Sequence, residues 1–142
     1  MLQTIALRDF VIVDQLELDF AGGFTVLTGE TGAGKSILLD ALSLVLGERA
    51  DSSQIREGAH RAEISALFRI DAEQVPHFNQ WLDEQGFPLE EDGQSLLLKR
   101  TVESNGRSRA FINGSVATVT QLREAGDQLV DIHGQHAHQI GR

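Results

Sequence analysis

At 142 residues the chain has the length of one domain, enough for folding to bury about two-thirds of the surface that the unfolded chain exposes. Twelve basic against 21 acidic residues leave a formal charge of −9, which opposes long-range attraction to nucleic acid or an anionic membrane, so any DNA contact must be a local patch. There is no cysteine, hence no disulfide framework and no thiolate zinc site; with no signal-peptide pattern at Met1-Leu2-Gln3-Thr4-Ile5 and no apolar run of membrane-spanning length, a cytoplasmic protein without a membrane partner is expected.

Ile5 and Leu7, then Leu16, Leu18 and Phe20 alternating with Gln15, Glu17 and Asp19, show the period of two that marks strands with one buried face. Between them, Phe10-Val11-Ile12-Val13-Asp14 imitates the apolar strand and acid of a Walker B motif. It precedes the phosphate loop, however, and Gln15 stands where a catalytic glutamate is needed, so it is read as ordinary strand and turn. Ala21-Gly22-Gly23 turns the chain into a third strand, Phe24-Thr25-Val26-Leu27-Thr28, which leads into Gly29-Glu30-Thr31-Gly32-Ala33-Gly34-Lys35-Ser36.

That octet is a complete G-x-x-x-x-G-K-[ST] phosphate-binding loop, set between a strand-like run and a helix-like run as its mechanism requires. The glycines let consecutive backbone N–H groups point at phosphate oxygens, and the helix start adds its dipole. Lys35 is placed to lie along the β- and γ-phosphates of a nucleoside triphosphate, and the Ser36 hydroxyl to ligate the Mg2+ that bridges them. Glu30, among the variable positions, is assigned nucleotide proximity and no chemistry of its own.

From Ile37 to Leu46 the helix is apolar almost all round, Asp40 and Ser43 excepted, so burial on most sides is expected, with Gly47 as its cap. Residues 48–60 are polar and turn-rich, 62–70 alternate as a strand, and 71–86 read as an amphipathic helix with Pro76 in its first turn and Phe78, Trp81 and Leu82 on its packed face. Residues 95–102 and 107–112 are strands joined through Ser104-Asn105-Gly106, a strong hairpin signal. Pairing them across a two-residue Asn105-Gly106 turn puts Arg100, Arg107 and Arg109 on one face with Val102 and Phe111. Such a basic stripe suits DNA phosphates; the bland reading is a solvated face with internal pairs to Glu103. A second Asn-Gly, Asn113-Gly114, precedes a helix from about Thr118 to Gln128 that Gln121 caps reciprocally, and Leu129-Val130-Asp131-Ile132 reads as a short strand.

Three stretches, residues 24–36, Gly106-Arg107-Ser108-Arg109-Ala110-Phe111-Ile112-Asn113-Gly114 and Ile132-His133-Gly134-Gln135-His136-Ala137-His138-Gln139, together resemble the RecN family of bacterial DNA-repair proteins, among the SMC-like ATPases. The similarity covers nearly the whole chain, and the arginine hairpin and the histidine-rich run are far more specific to the family than the phosphate loop. The resemblance implies an α/β P-loop NTPase, an ABC-type ATPase head lobe with a mixed sheet and an antiparallel β region. Residues 1–142 would be the N-terminal part of a head whose other part follows a long coiled coil. By the same resemblance Gln135 is the Q-loop glutamine that touches Mg2+ and the attacking water, the cofactors are ATP and Mg2+, and the protein is cytoplasmic and nucleoid-associated. The implied partners are the C-terminal half of the same head, a second head engaged on ATP binding, and DNA held during double-strand-break repair.

A Walker B acid with its glutamate, a signature Ser-Gly-Gly segment and a switch histidine are not recognisable here, so binding of ATP with weak or no hydrolysis is expected of this stretch alone. His133, His136 and His138 are explained as a loop around Gln135 rather than a zinc site, since neither cysteine nor a suitably placed acid completes the set. Two other readings are a nucleotide-responsive docking module and a small phosphotransferase; the latter needs an acceptor-binding acid and an arginine-bearing lid, and no separate lid segment is apparent.

Overall fold

The computed structural model describes residues 2–20 and 32–129. Among the described residues, alternating apolar and polar residues build six strands: β1 Leu2–Phe10, β2 Val13–Asp19, β3 Arg61–Arg69, β4 Ser95–Glu103, β5 Ser108–Ile112 and β6 Ser115–Ala117. They form one sheet in the order β2-β1-β3-β4-β5-β6, and every described pairing is antiparallel. Ile5 and Leu7 pair with Ala66 and Ile64, which pair with Leu98 and Arg100, so one set of alternate residues falls on one face. Ile5, Leu7, Ile64, Ala66, Leu98 and Ile112 are all buried on that face.

Three helices cover it: α1 Gly32–Val45, α2 Val75–Gln85 and α3, residues 119–129. Ala41, Leu44 and Val45 of α1, Phe78 and Leu82 of α2, and Leu122, Ala125 and Leu129 of α3 join the sheet residues in a single core. Proline occupies the first turn of α2, where its missing N–H costs no hydrogen bond, and Gly86 ends that helix at φ +83°. Trp81 is partly buried against the core and lies 6.1 Å from the Phe87 ring, centroid to centroid. At the start of α3 the expected reciprocal cap is formed: the Gln121 N–H donates to Thr118 Oγ1 at 3.0 Å and the Thr118 N–H to Gln121 Oε1 at 2.9 Å.

Four expectations change. The helix following the phosphate loop is less enclosed than its composition suggests, with Leu39 57% exposed beside exposed Asp40 and Ser43. Leu129 is helical rather than the first residue of a strand. Asn113-Gly114 does not simply precede a helix: with φ of 50° and 87° it makes the tight turn between β5 and β6, a strand too short to read from sequence. The hairpin register is also shifted by one residue. Val102 faces Ser108 and Thr101 faces Arg109, because Ser104, Asn105 and Gly106 form a three-residue loop ending in Gly106 at φ +91°. A one-residue shift moves one strand's side chains to the other face relative to its partner.

Candidate nucleotide-binding site

The two ends of the phosphate-loop helix differ in kind: its start presents its own polar residues, and its end is held by residues from other elements. At its N-terminus, Gly34, Lys35 and Ser36 follow in the first turns of α1, with the Lys35 and Ser36 side chains exposed and no acidic residue in the first turn. A helix N-terminus with an exposed ammonium and hydroxyl and no acid in its own first turn is a donor set that fits a polyphosphate and its cation. The stem of Lys35 also lines an apolar recess of about 140 Å³ with Leu2, Phe20, Leu38 and Leu39. Gly29, Glu30 and Thr31, the strand over 24–28, Gln135 and the three histidines His133, His136 and His138 lie outside the described residues. Among the described residues no group of three metal-ligating side chains exists.

At the other end, two arginines meet carbonyls at and just beyond the last turn of α1. Arg100, on β4, is only 2% exposed. Its Nη1 donates to the Leu44 carbonyl at 2.8 Å and the Glu48 carbonyl at 2.7 Å, and its Nε to Ser108 Oγ at 3.1 Å. Arg123, on α3, donates from Nη2 to the Gly47 carbonyl at 3.2 Å. Burial, and secondarily the neighbouring Arg123 charge, lowers the Arg100 pKa below the usual arginine value. It nevertheless remains a cation, and the carbonyl ends of the helix dipole take the place of a carboxylate partner.

The basic stripe is therefore corrected. Arg100 and Val102 lie on the buried face, whereas Arg109 is exposed on the opposite face and Arg107 is exposed just after the turn, so Arg100 has no open path to a phosphate backbone. Sequence inspection missed the role of Arg123 and the helix-capping role of Arg100, since their partners lie 76 and 56 residues away. No local signal encodes such a pairing. The Walker B imitation resolves into strand and turn as read: β1 ends at Phe10, β2 begins at Val13, Val11 has φ 56°, and Ile12 is 76% exposed. Asp14 lies 3.8 Å from Arg56 at this turn.

An apolar sheet face covered by a helix that starts in a phosphate-loop sequence is the arrangement of a P-loop ATPase head, and solved structures share it. A structure from work on ATP-driven dimerisation and DNA-stimulated activation of SMC ATPases aligns at TM-score 0.64 with 26% identity, over 87% of this chain and 75% of that one. A RecF structure shares the fold at TM-score 0.60 and 16% identity, over 86% of this chain and 29% of that one. The model of the RecF/RecN/SMC N terminal domain matches residues 1–130, and the chain belongs to that family. It is 43% identical to the DNA repair protein RecN of Vibrio cholerae over 98% of this chain and 24% of that protein, and 39% identical to that of Bacillus subtilis over 99% and 24%. The chain thus spans about a quarter of the length of the curated relatives it matches.

Proposed function

We propose that residues 1–142 are the N-terminal part of an ATPase head acting in recombinational repair of DNA double-strand breaks, with the phosphate loop at 29–36 and a Q-loop near Gln135. The observation that carries the reading is the exposed Lys35-Ser36 pair at the acid-free start of α1. The loop amides and Lys35 would hold the phosphates of ATP; Ser36 and Gln135 would ligate Mg2+, which neutralises charge that develops on the phosphates. Hydrolysis would need the C-terminal part of the head and a second head, and ATP-dependent engagement of two heads would control how DNA is held. The exposed Leu39 beside the apolar recess favours docking as part of this role, since an uncovered leucine next to an apolar surface gains from a partner that removes both from water. DNA contact, if carried by the hairpin, falls to Arg107 and Arg109.

Titration of the chain with a fluorescent ATP analogue and Mg2+, alone and mixed with the remaining C-terminal part of the protein, tests this. Saturable binding lost in Lys35→Ala, with turnover only in the mixture, is expected. Strong turnover by the chain alone would overturn the split-head reading in favour of a self-sufficient enzyme.

A further inference from the structure

Arg100 is the only arginine of the described core, and nothing in nucleotide binding as proposed above uses it. Its position is unusual for a buried cation because no carboxylate among the described residues pairs with it; its partners are the Leu44 and Glu48 carbonyls and the Ser108 hydroxyl. Arg123 approaches the same helix end from α3 and takes the Gly47 carbonyl. The backbones are in contact there as well. A Cβ on Gly47, at φ +104°, would sit 2.8 Å from Arg123 Cα, and a Cβ on Gly126 would sit 3.0 Å from the Leu46 carbonyl oxygen. A side chain at Gly47 would force the backbone after α1 away from α3, and one at Gly126 would require Leu46 to give by a few tenths of an ångström.

We infer that Arg100 and Arg123 are positioning residues for nucleotide binding: together they clamp the C-terminal end of α1 to β4 and α3 and so fix where its N-terminal phosphate loop stands. This rests on the phosphate-loop reading given above. The helix is 14 residues long and therefore about 20 Å from end to end, too far for either guanidinium to touch a phosphate. The lever is geometric. A helix moves as a rod, so a small tilt permitted at one end displaces the loop at the other, and a misplacement of about 1 Å in a binding site is enough to cost affinity or rate. Electrostatics works in the same direction, since cations at the C-terminus oppose the partial negative charge there while the positive end stays available for the ligand. Arginine suits both tasks because its planar fork reaches Leu44, Glu48 and Ser108 at once from one side chain, which the single ammonium of lysine cannot reproduce.

The test measures binding of a fluorescent ATP analogue with Mg2+ by the full-length protein, beside its thermal melting, for wild type, Arg123→Ala, Gly126→Ala, Arg100→Met and Arg100→Lys. Arg123→Ala alters an exposed side chain and keeps the fold intact if Arg100→Met does not. The expected result is affinity weakened about fivefold or more in Arg123→Ala and Gly126→Ala at temperatures where both remain folded, a larger loss in Arg100→Met, and partial recovery in Arg100→Lys. Unchanged affinity in folded Arg123→Ala and Gly126→Ala, with only a lowered melting temperature, overturns the inference and leaves the clamp as a purely structural feature. Wild-type protein that binds no nucleotide is a separate outcome, which overturns the phosphate-loop reading and the inference together.

Discussion

On the sheet face that carries α1, Arg100 is 2% exposed and sits opposite Ala110; across the same hairpin, Arg109 points from the other face into solvent opposite Thr101. Two arginines nine residues apart thus live in unlike surroundings, and the faces differ in the same way. The covered face is apolar apart from Arg100, whose guanidinium donates to the Leu44 and Glu48 carbonyls and the Ser108 hydroxyl. The open face carries Glu63, with Lys99 Nζ at 3.1 Å and Arg61 Nη2 at 4.0 Å, and Lys99 stands 5.6 Å from the centroid of the Phe111 ring. Water screens every charge on the second face and none of the groups packed into the first. Contacts of similar length should therefore differ severalfold in what they contribute.

The widest gap is expected from Leu98→Ala, which removes a fully buried side chain in the middle of the sheet and should cost about 2–5 kcal/mol in chemical denaturation. A loss below about 1 kcal/mol would show that the covered face is loosely packed. Next comes Asn113→Ala. Asn113 is 7% exposed, accepts from the Leu97 N–H at 2.9 Å and donates to the Pro88 carbonyl at 2.8 Å, while adopting φ 50°. Alanine leaves that N–H and carbonyl unpaired and tolerates the positive φ less well, so about 2–4 kcal/mol should be lost. Lys99→Ala on the open face should cost less than about 1 kcal/mol, and the loss should shrink in high salt; a salt-independent loss would argue for packing of its stem on Phe111.

The smallest effect is expected at Asp92, whose exposed carboxylate accepts from the N–H groups of Gln94 and Ser95 and from the Ser95 hydroxyl. The Gln94 N–H, followed by the Ser95 hydroxyl, holds its pKa below the ordinary aspartate value. A group with a depressed folded pKa contributes fully above its unfolded pKa and loses that contribution as pH falls through the folded value. Stability of the wild type minus that of Asp92→Asn should therefore be constant near neutral pH and decline in acid. A difference that grows in acid would contradict these contacts.

Much of this architecture was legible because its causes are local. The helix that begins at Gly32 is where its sequence placed it; the Thr118 and Gln121 cap lies within one helical turn; the start of α2 follows from a proline and its end from a glycine. The hairpin was half legible. Asn105-Gly106 announces a turn but fits both a two-residue turn and the end of a three-residue loop, and only the pairing of Val102 with Ser108 decides between them. That single residue of register separates an exposed basic stripe from a buried arginine.

What the sequence determined by itself, then, is what depends on near neighbours: the strand and helix periods, the helix start that carries Lys35 and Ser36, and the caps of α2 and α3. The tertiary structure alone decided the register of β5 on β4, the burial of Arg100, and the meeting of Arg100 and Arg123 at the end of α1. The arginine contacts join segments more than 50 residues apart; the hairpin register is local, but the gain from covering Ala110 and Ile112 selects it among alignments that local preferences leave nearly equal in energy.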